Sequence, residues 1–163
     1  MIVVADTSVI CYSVLIGRVD LLPQLFGRIH IPTAVRDELI APEAPVEVCD
    51  WMGTPPNWLV VETVVPEPDA LLSRLHAGER EALLLAKGLN ADLVLLDEKA
   101  ARKAAAARGR RVTGLLGILA DAASQGMVDL PSAVDRLRRT TFRASPAMLR
   151  NLLLRSTKKE DGS

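Results

Sequence analysis

Histidine and cysteine are scarce in this chain, with two of each in 163 residues. Cys11 and Cys49 show no C-x-x-C spacing, which argues against a thiolate zinc site and a disulfide scaffold and for ordinary reduced thiols. His30 falls inside the apolar stretch Ile29–Ile31, and His76 sits in a loop or helix start with no lysine motif beside it. That placement speaks against a metal-free ribonuclease run on a histidine pair. An excess of one charge is missing too: twenty Lys+Arg balance twenty Asp+Glu. No apolar run is long enough to span a bilayer, and the first residues lack the basic lead and small-residue cleavage site of a secretory signal. The expectation is a cytoplasmic protein without a membrane segment. There is no internal repeat.

What is present is apolar bulk and well-placed acid. Apolar residues make up 49% of the chain, enough for a folded core and against disorder. The length suits one domain. Ile2–Ala5, Ile29–Ile31, the β-rich run Trp58–Val65, Leu93–Leu96 and Val112-Thr113 read as strands. Between them, helical patterns run through Tyr12–Leu15, Leu21–Phe26, Pro32–Ile40, roughly 78–88, about 98–107 and Leu115–Ser124. Proline opens a helix at no cost, because its missing N–H would have no partner there. Ala41–Pro56 reads as a loop around a short helix, and Glu67–Ser73 as the lead into the next one. Strands alternating with helices predict an α/β fold, a three-layer α/β/α arrangement on a central, mainly parallel sheet of four to five strands. Residues 1–130 form its body. Residues 131–163 read as a C-terminal helical extension of the same domain, with a frayed tail from Lys158 to Ser163.

Two aspartates end their own apolar runs, Asp6 after Ile2–Ala5 and Asp97 after Leu93–Leu96. Carboxyl ends of parallel strands form the usual site crevice, and an unpaired buried carboxylate is costly enough to call for a cation or strong donors. Asp6 also suits a helix N-cap, a role compatible with binding a metal, and Ser8 is near enough to orient it. Glu38 lies on the helix Pro32–Ile40, where an exposed glutamate is equally ordinary. Glu79 and Glu81 flank opposite borders of the stripe Ala82, Leu85, Ala86, Leu89, and the pattern does not choose between them; both also suit a helix's first turn on electrostatic grounds alone. Oxygen ligands without histidine select hard cations such as Mg²⁺ or Mn²⁺. Basic residues crowd two segments, from Lys99, Arg102 and Lys103 to Arg111 and from Arg136 to Arg143. They suit an anionic polymer, or simply two solvated helix faces.

Taken in order, Val3–Ser8, Ile31–Leu39, Gly78–Leu83 and Leu95–Glu98 resemble the PIN-domain family, the fold of metal-dependent ribonucleases that includes VapC-type toxins. Val112–Gly117, Pro56–Trp58 and Phe142–Ser145 are similar to a subgroup long described only as of unknown function. The resemblance implies catalytic Asp6, Glu38, Glu79, Glu81 and Asp97, with metal bound by Asp6, Asp97, Glu38 and Glu81. Ser8 and Thr113 would give polar support, and Arg102 and Lys103 would hold the RNA backbone. It implies hydrolysis of RNA phosphodiesters with Mg²⁺ or Mn²⁺, a toxin paired with a small antitoxin, and a homodimer using apolar surface near Leu15–Phe26 or Leu149–Leu154. The last run suits core packing equally. Better-known relatives carry aspartate where this chain offers Glu79 and Glu81. A scaffold that binds RNA or a protein without cleaving is the competing expectation. A phosphotransfer enzyme is a weak third, because Asp6-Thr7-Ser8-Val9 lacks the second aspartate such a nucleophile needs.

Overall fold

A computed structural model describes residues 1–70 and 72–161. Leu71, inside the expected lead-in Glu67–Ser73, lies outside the described residues, as do Gly162 and Ser163 of the expected tail.

Five short strands pair in parallel: β1 (Val3–Ala5), β2 (Ile29–Pro32), β3 (Leu59–Glu62), β4 (Leu93–Leu95) and β5 (Val112–Thr113), in the order β3-β2-β1-β4-β5. Parallel strands need long crossovers, and the chain supplies helices for each. The helices are α1 (Thr7–Leu15), α2 (Leu21–Phe26), α3 (Thr33–Leu39), α4 (Val46–Gly53), α5 (Ala77–Leu89), α6 (Lys99–Ala107), α7 (Leu115–Ser124), α8 (Leu130–Arg138) and α9 (Pro146–Asp161). The expected helix start at Asp6 and the pattern through Tyr12–Leu15 are thus one helix. The loop expected over Ala41–Pro56 carries α4, and the β-rich run Trp58–Val65 shortens to β3. The expected frayed tail continues α9 as far as Asp161.

Alternation along the strands builds two cores. Val3, Ala5, Ile29, Ile31, Leu93 and Leu95 face one side, under Val9 and Ile10 of α1, Val35 and Leu39 of α3, and Val48 and Met52 of α4. Val4, Val94 and Leu96 face the other, under Ala82, Leu83 and Ala86 of α5 and Ala101 and Ala105 of α6. Strands buried on both faces read as continuous apolar runs, as these do. A third cluster joins Ile16 and Leu21 to Leu115 and Leu119 of α7, Val134 and Leu137 of α8, and Leu149 of α9, with Leu152 and Leu153 packed against it. In the dimer-surface candidate Leu149–Leu154, the side chains at helical spacing therefore pack inward, and Leu154 is left 60% exposed. No helix among the described residues is long and apolar enough to cross a membrane.

The sheet grows outward from β1 in both directions, so the chain's winding reverses between β1 and β4. In open parallel sheets, the gap past the carboxyl ends at such a reversal is where ligands bind. Ala5 pairs with Leu95, and Asp6 and Asp97 leave the sheet there.

Candidate functional site

Asp6 continues β1 by one residue, its N–H donating to the Leu95 carbonyl at 3.0 Å. It is also the N-cap of α1: its Oδ1 accepts the Thr7 N–H at 2.6 Å. The cap and the strand end together hold the carboxylate at 4% exposure. Its Oδ2 accepts no hydrogen bond from the described residues. Burial is the largest reason its pKa rises to about 7, opposed by the Thr7 amide and reinforced by the charges of Glu79, Glu38 and Asp97.

Those three acids arrive from separate elements. Glu38 comes from the last turn of α3 and accepts the Gly78 N–H of α5 at 3.0 Å and the Thr7 hydroxyl. Gly78 must be glycine for this approach, because a Cβ there would run into the Glu38 carboxylate. Glu79 sits in the first turn of α5, 7% exposed. Burial raises its pKa, His76 opposes the shift, and Glu98 and Glu38 add to it. No donor among the described residues meets its carboxylate.

Asp97 lies two residues past β4. Its Oδ1 accepts the Leu115 N–H at 2.8 Å and its Oδ2 the Ser8 hydroxyl at 3.4 Å. Burial raises its pKa too, against the Leu115 amide, the Ser8 hydroxyl and the Arg102 charge. Gly114 leaves room for this arrangement: a Cβ there would stand 2.7 Å from Asp97 Oδ1 and 3.0 Å from Arg102 Nη1. Asp6, Glu38 and Asp97 therefore each rest on an amide in the first turn of a different helix, α1, α5 and α7, where the positive end of the helix dipole favours an anion.

Glu81 takes another course. Its Oε1 accepts the Ala34 N–H at 3.4 Å, in the first turn of α3. It is absent from the charges acting on Asp6, whereas Glu79 comes first among them. Glu98, at the N-terminus of α6, acts on Glu79. Thr113 ends β5 and lines a cavity of about 420 Å³ together with Ser8, Asp97, Glu98 and Arg102. Lys103 is exposed on α6 and outside that lining.

Six further residues contribute to the site in roles that sequence reading did not assign. Thr7 tethers Glu38 through its hydroxyl, Gly78 and Gly114 make space for carboxylates, and Tyr12, Phe142 and Arg143 close the cavity's far side. A glycine directly before a first-turn acid, as in Gly78-Glu79, is the one pattern that could have been read.

Four arginines of the two basic segments have structural work. Arg108 pairs with Asp69, Arg110 donates to Asn90 Oδ1 and the Ala91 carbonyl at 3.1 Å, Arg136 to the Ile16 carbonyl at 3.1 Å, and Arg139 to Asp135 at 2.9 Å.

The donor set is carboxylate oxygen only, which fits a hard divalent cation. Asp6 Oδ2 and the Glu79 carboxylate, on residues that are mostly buried, accept no hydrogen bond from the described residues and keep contact with solvent, so both are open to a cation. As placed, no three His, Cys, Asp or Glu side chains among the described residues are grouped tightly enough to hold an ion. Glu38 and Asp97 are turned onto backbone amides instead.

A family model described as a PIN domain matches residues 2–158. Among solved structures, the chain is similar to a PilT N-terminus domain protein, SSO1118, from the hyperthermophilic archaeon Sulfolobus solfataricus P2. The two share 16% identity and a TM-score of 0.53 over 88% of this chain and 100% of that one. At that identity the likeness is one of fold. No curated protein matches.

Proposed function

The chain belongs to the PIN-domain family, whose members are typically nucleases, and on that footing we propose that it is a Mg²⁺- or Mn²⁺-dependent endoribonuclease. The observation that carries the proposal is the convergence of Asp6, Glu38, Glu79 and Asp97 on one crevice, with Asp6 held near a pKa of about 7 by burial and by the other three charges. Like charges gathered with only Arg102 and His76 to offset them are unfavourable, and a divalent cation with a phosphodiester would complete the arrangement.

When bound, the divalent ion acidifies water and neutralises charge growing on the phosphate. Asp6, whose Oδ2 has no donor, and Asp97 are the residues assigned to hold it, with Glu38 completing the set. Glu79 is preferred to Glu81 as the further acid, because Glu81 is engaged by Ala34 on α3. A Glu79 carboxylate with no donor to keep is suited to take the proton from the attacking water. The P–O bond to the leaving nucleotide then breaks, and its oxygen is protonated from solvent. Ser8 orients Asp97, and Thr7 orients Glu38. Thr113 lines the same cavity, and Arg102 beside Asp97 holds the RNA backbone.

The proposal extends to a cytoplasmic toxin whose small antitoxin covers the acidic crevice, and to a homodimer. These rest on the family resemblance rather than on a contact in the molecule. Induced expression that arrests growth, relieved by Asp6→Asn, would support the toxin role.

The test is cleavage of a mixed RNA pool by the purified protein with Mg²⁺, Mn²⁺ or EDTA, beside Asp6→Asn. Cleavage that needs the metal and disappears in the variant is expected. Cleavage that persists in EDTA and in the variant would end the metal-site account. Metal binding without cleavage would favour a scaffold that binds RNA or a partner.

A further inference from the structure

The cavity beside Asp97 has two unlike walls. One is acidic and belongs to the crevice. The other comes from about 130 residues further along the chain than Tyr12, in the connection between α8 and α9, and contributes Thr141, Phe142, Arg143 and Ala144. That connection is fastened on both sides. Tyr12 and Thr141 share a hydrogen bond of 2.9 Å, and the Tyr12 and Phe142 rings meet edge to face at 5.2 Å. Thr140 Oγ1 accepts the Phe142 N–H at 3.1 Å, and Ser145 Oγ accepts the Met148 N–H at 3.1 Å to start α9. Between these anchors stands Arg143, exposed on the cavity rim.

Arg143 and Arg102 are the arginines of the chain's two basic segments that line this cavity; Arg111 and Arg138, which also hold no side-chain partner among the described residues, lie outside its lining. Arg108, Arg110, Arg136 and Arg139 each hold a carboxylate, an amide oxygen or a carbonyl. The side chains of Arg102 and Arg143 hold none among the described residues, although Asp97 and Glu98 line the same cavity. A guanidinium fork that lies near carboxylates without hydrogen-bonding any described one is placed for a further anion, and phosphate suits its geometry. Phe142 and Tyr12 supply aromatic surface on the same wall, which a nucleobase can stack against.

We propose that the Thr141–Ala144 connection, pinned by Tyr12, is a substrate-positioning wall in which Arg143, opposite Arg102, grips a backbone phosphate of single-stranded RNA next to the bond being cleaved. This rests on the nuclease reading for its biological meaning but concerns binding, so the two fail separately. Arg143 is a positioning residue, and the acids remain the ones that touch the reacting atoms.

The experiment is fluorescence anisotropy with a fluorescein-labelled single-stranded RNA 12-mer in EDTA, titrated at several salt concentrations. Arg143→Ala and Arg102→Ala are expected to weaken binding about tenfold each, and to flatten the log–log salt slope by about 0.7. Arg143→Lys should keep the slope, because the charge stays. Arg28→Ala, which removes an exposed charge just before β2 at the opposite edge of the sheet, should change neither. Phe142→Leu tests stacking without emptying the space against Tyr12, and a loss of about fivefold is expected. Wild-type protein that cleaves RNA while Arg143→Ala binds it with unchanged affinity and slope would overturn the wall and leave the nuclease reading standing. Binding that depends on Arg143 in a protein that never cleaves would uphold the wall and end the nuclease reading. An equal loss in Arg28→Ala would reduce the effect to net charge and overturn the proposal.

Discussion

Glu62 and Asp6 both stand at the carboxyl edge of the same parallel sheet, one closing β3 and the other leaving β1. Their surroundings are opposite. Glu62 Oε2 lies 3.2 Å from Nδ1 of His30 on the neighbouring strand, close but out of hydrogen-bond alignment. Among the described residues no base acts on Asp6; Glu79, Glu38 and Asp97 do, and raise its pKa. A carboxylate at a strand end is therefore not in itself a site. The company it keeps decides, and at the switch point between β1 and β4 acids face acids.

The comparison breaks most sharply in activity. Asp6→Asn or Asp97→Asn should lower RNA cleavage by about 100-fold or more, since even residues that only support metal ligands cost about 10- to 100-fold. Product appearance with Mn²⁺ in excess measures this. A Glu62→Gln variant assayed beside them supplies the other side of the comparison.

Gly114→Ala should act on both activity and stability. Its Cβ would press on Asp97 Oδ1 at 2.7 Å and on the Leu96 carbonyl at 3.3 Å. A destabilisation of about 1–3 kcal/mol, in the range typical of overpacking, should appear in urea unfolding, together with slower cleavage.

The pH dependence of the metal-free protein sharpens the comparison further. Asp6 titrates higher when folded, at about 7, than its ordinary value of 3.8. The stability linked to its neutral form is complete below about pH 4 and is lost as pH rises through 7. In EDTA, Asp6→Asn should therefore melt above wild type at pH 8, by on the order of 5 °C, and no higher at pH 4. Added Mg²⁺ should narrow that gap at pH 8 by stabilising wild type alone. Thermal melts at the two pH values decide it. The smallest effect is expected for Glu62→Gln, with cleavage within about twofold of wild type.

The α/β fold and the two aspartates were legible because apolar runs of strand length stop at Asp6 and Asp97, and burial makes a carboxylate there conspicuous. The choice between Glu79 and Glu81 was not, because both border the same helical stripe. The proposed preference for Glu79 draws on contacts in space, Glu79 acting on Asp6 while Ala34 engages Glu81. Arg143 was invisible as a cavity residue for a different reason. Its position depends on Tyr12 meeting Thr141 and Phe142 across more than half the chain, and no local pattern encodes such a contact. The basic segments misled in part, since spacing along a sequence does not separate arginines tied to carbonyls from arginines left free.

Calorimetric titration of Mn²⁺ into the metal-free protein at pH 7.5 tests the central claim most directly. One carboxylate site at the switch point predicts binding in wild type, Glu81→Gln and Glu62→Gln, and its loss in Asp6→Asn and Asp97→Asn. Undiminished binding in Asp6→Asn, or none in wild type, would contradict it.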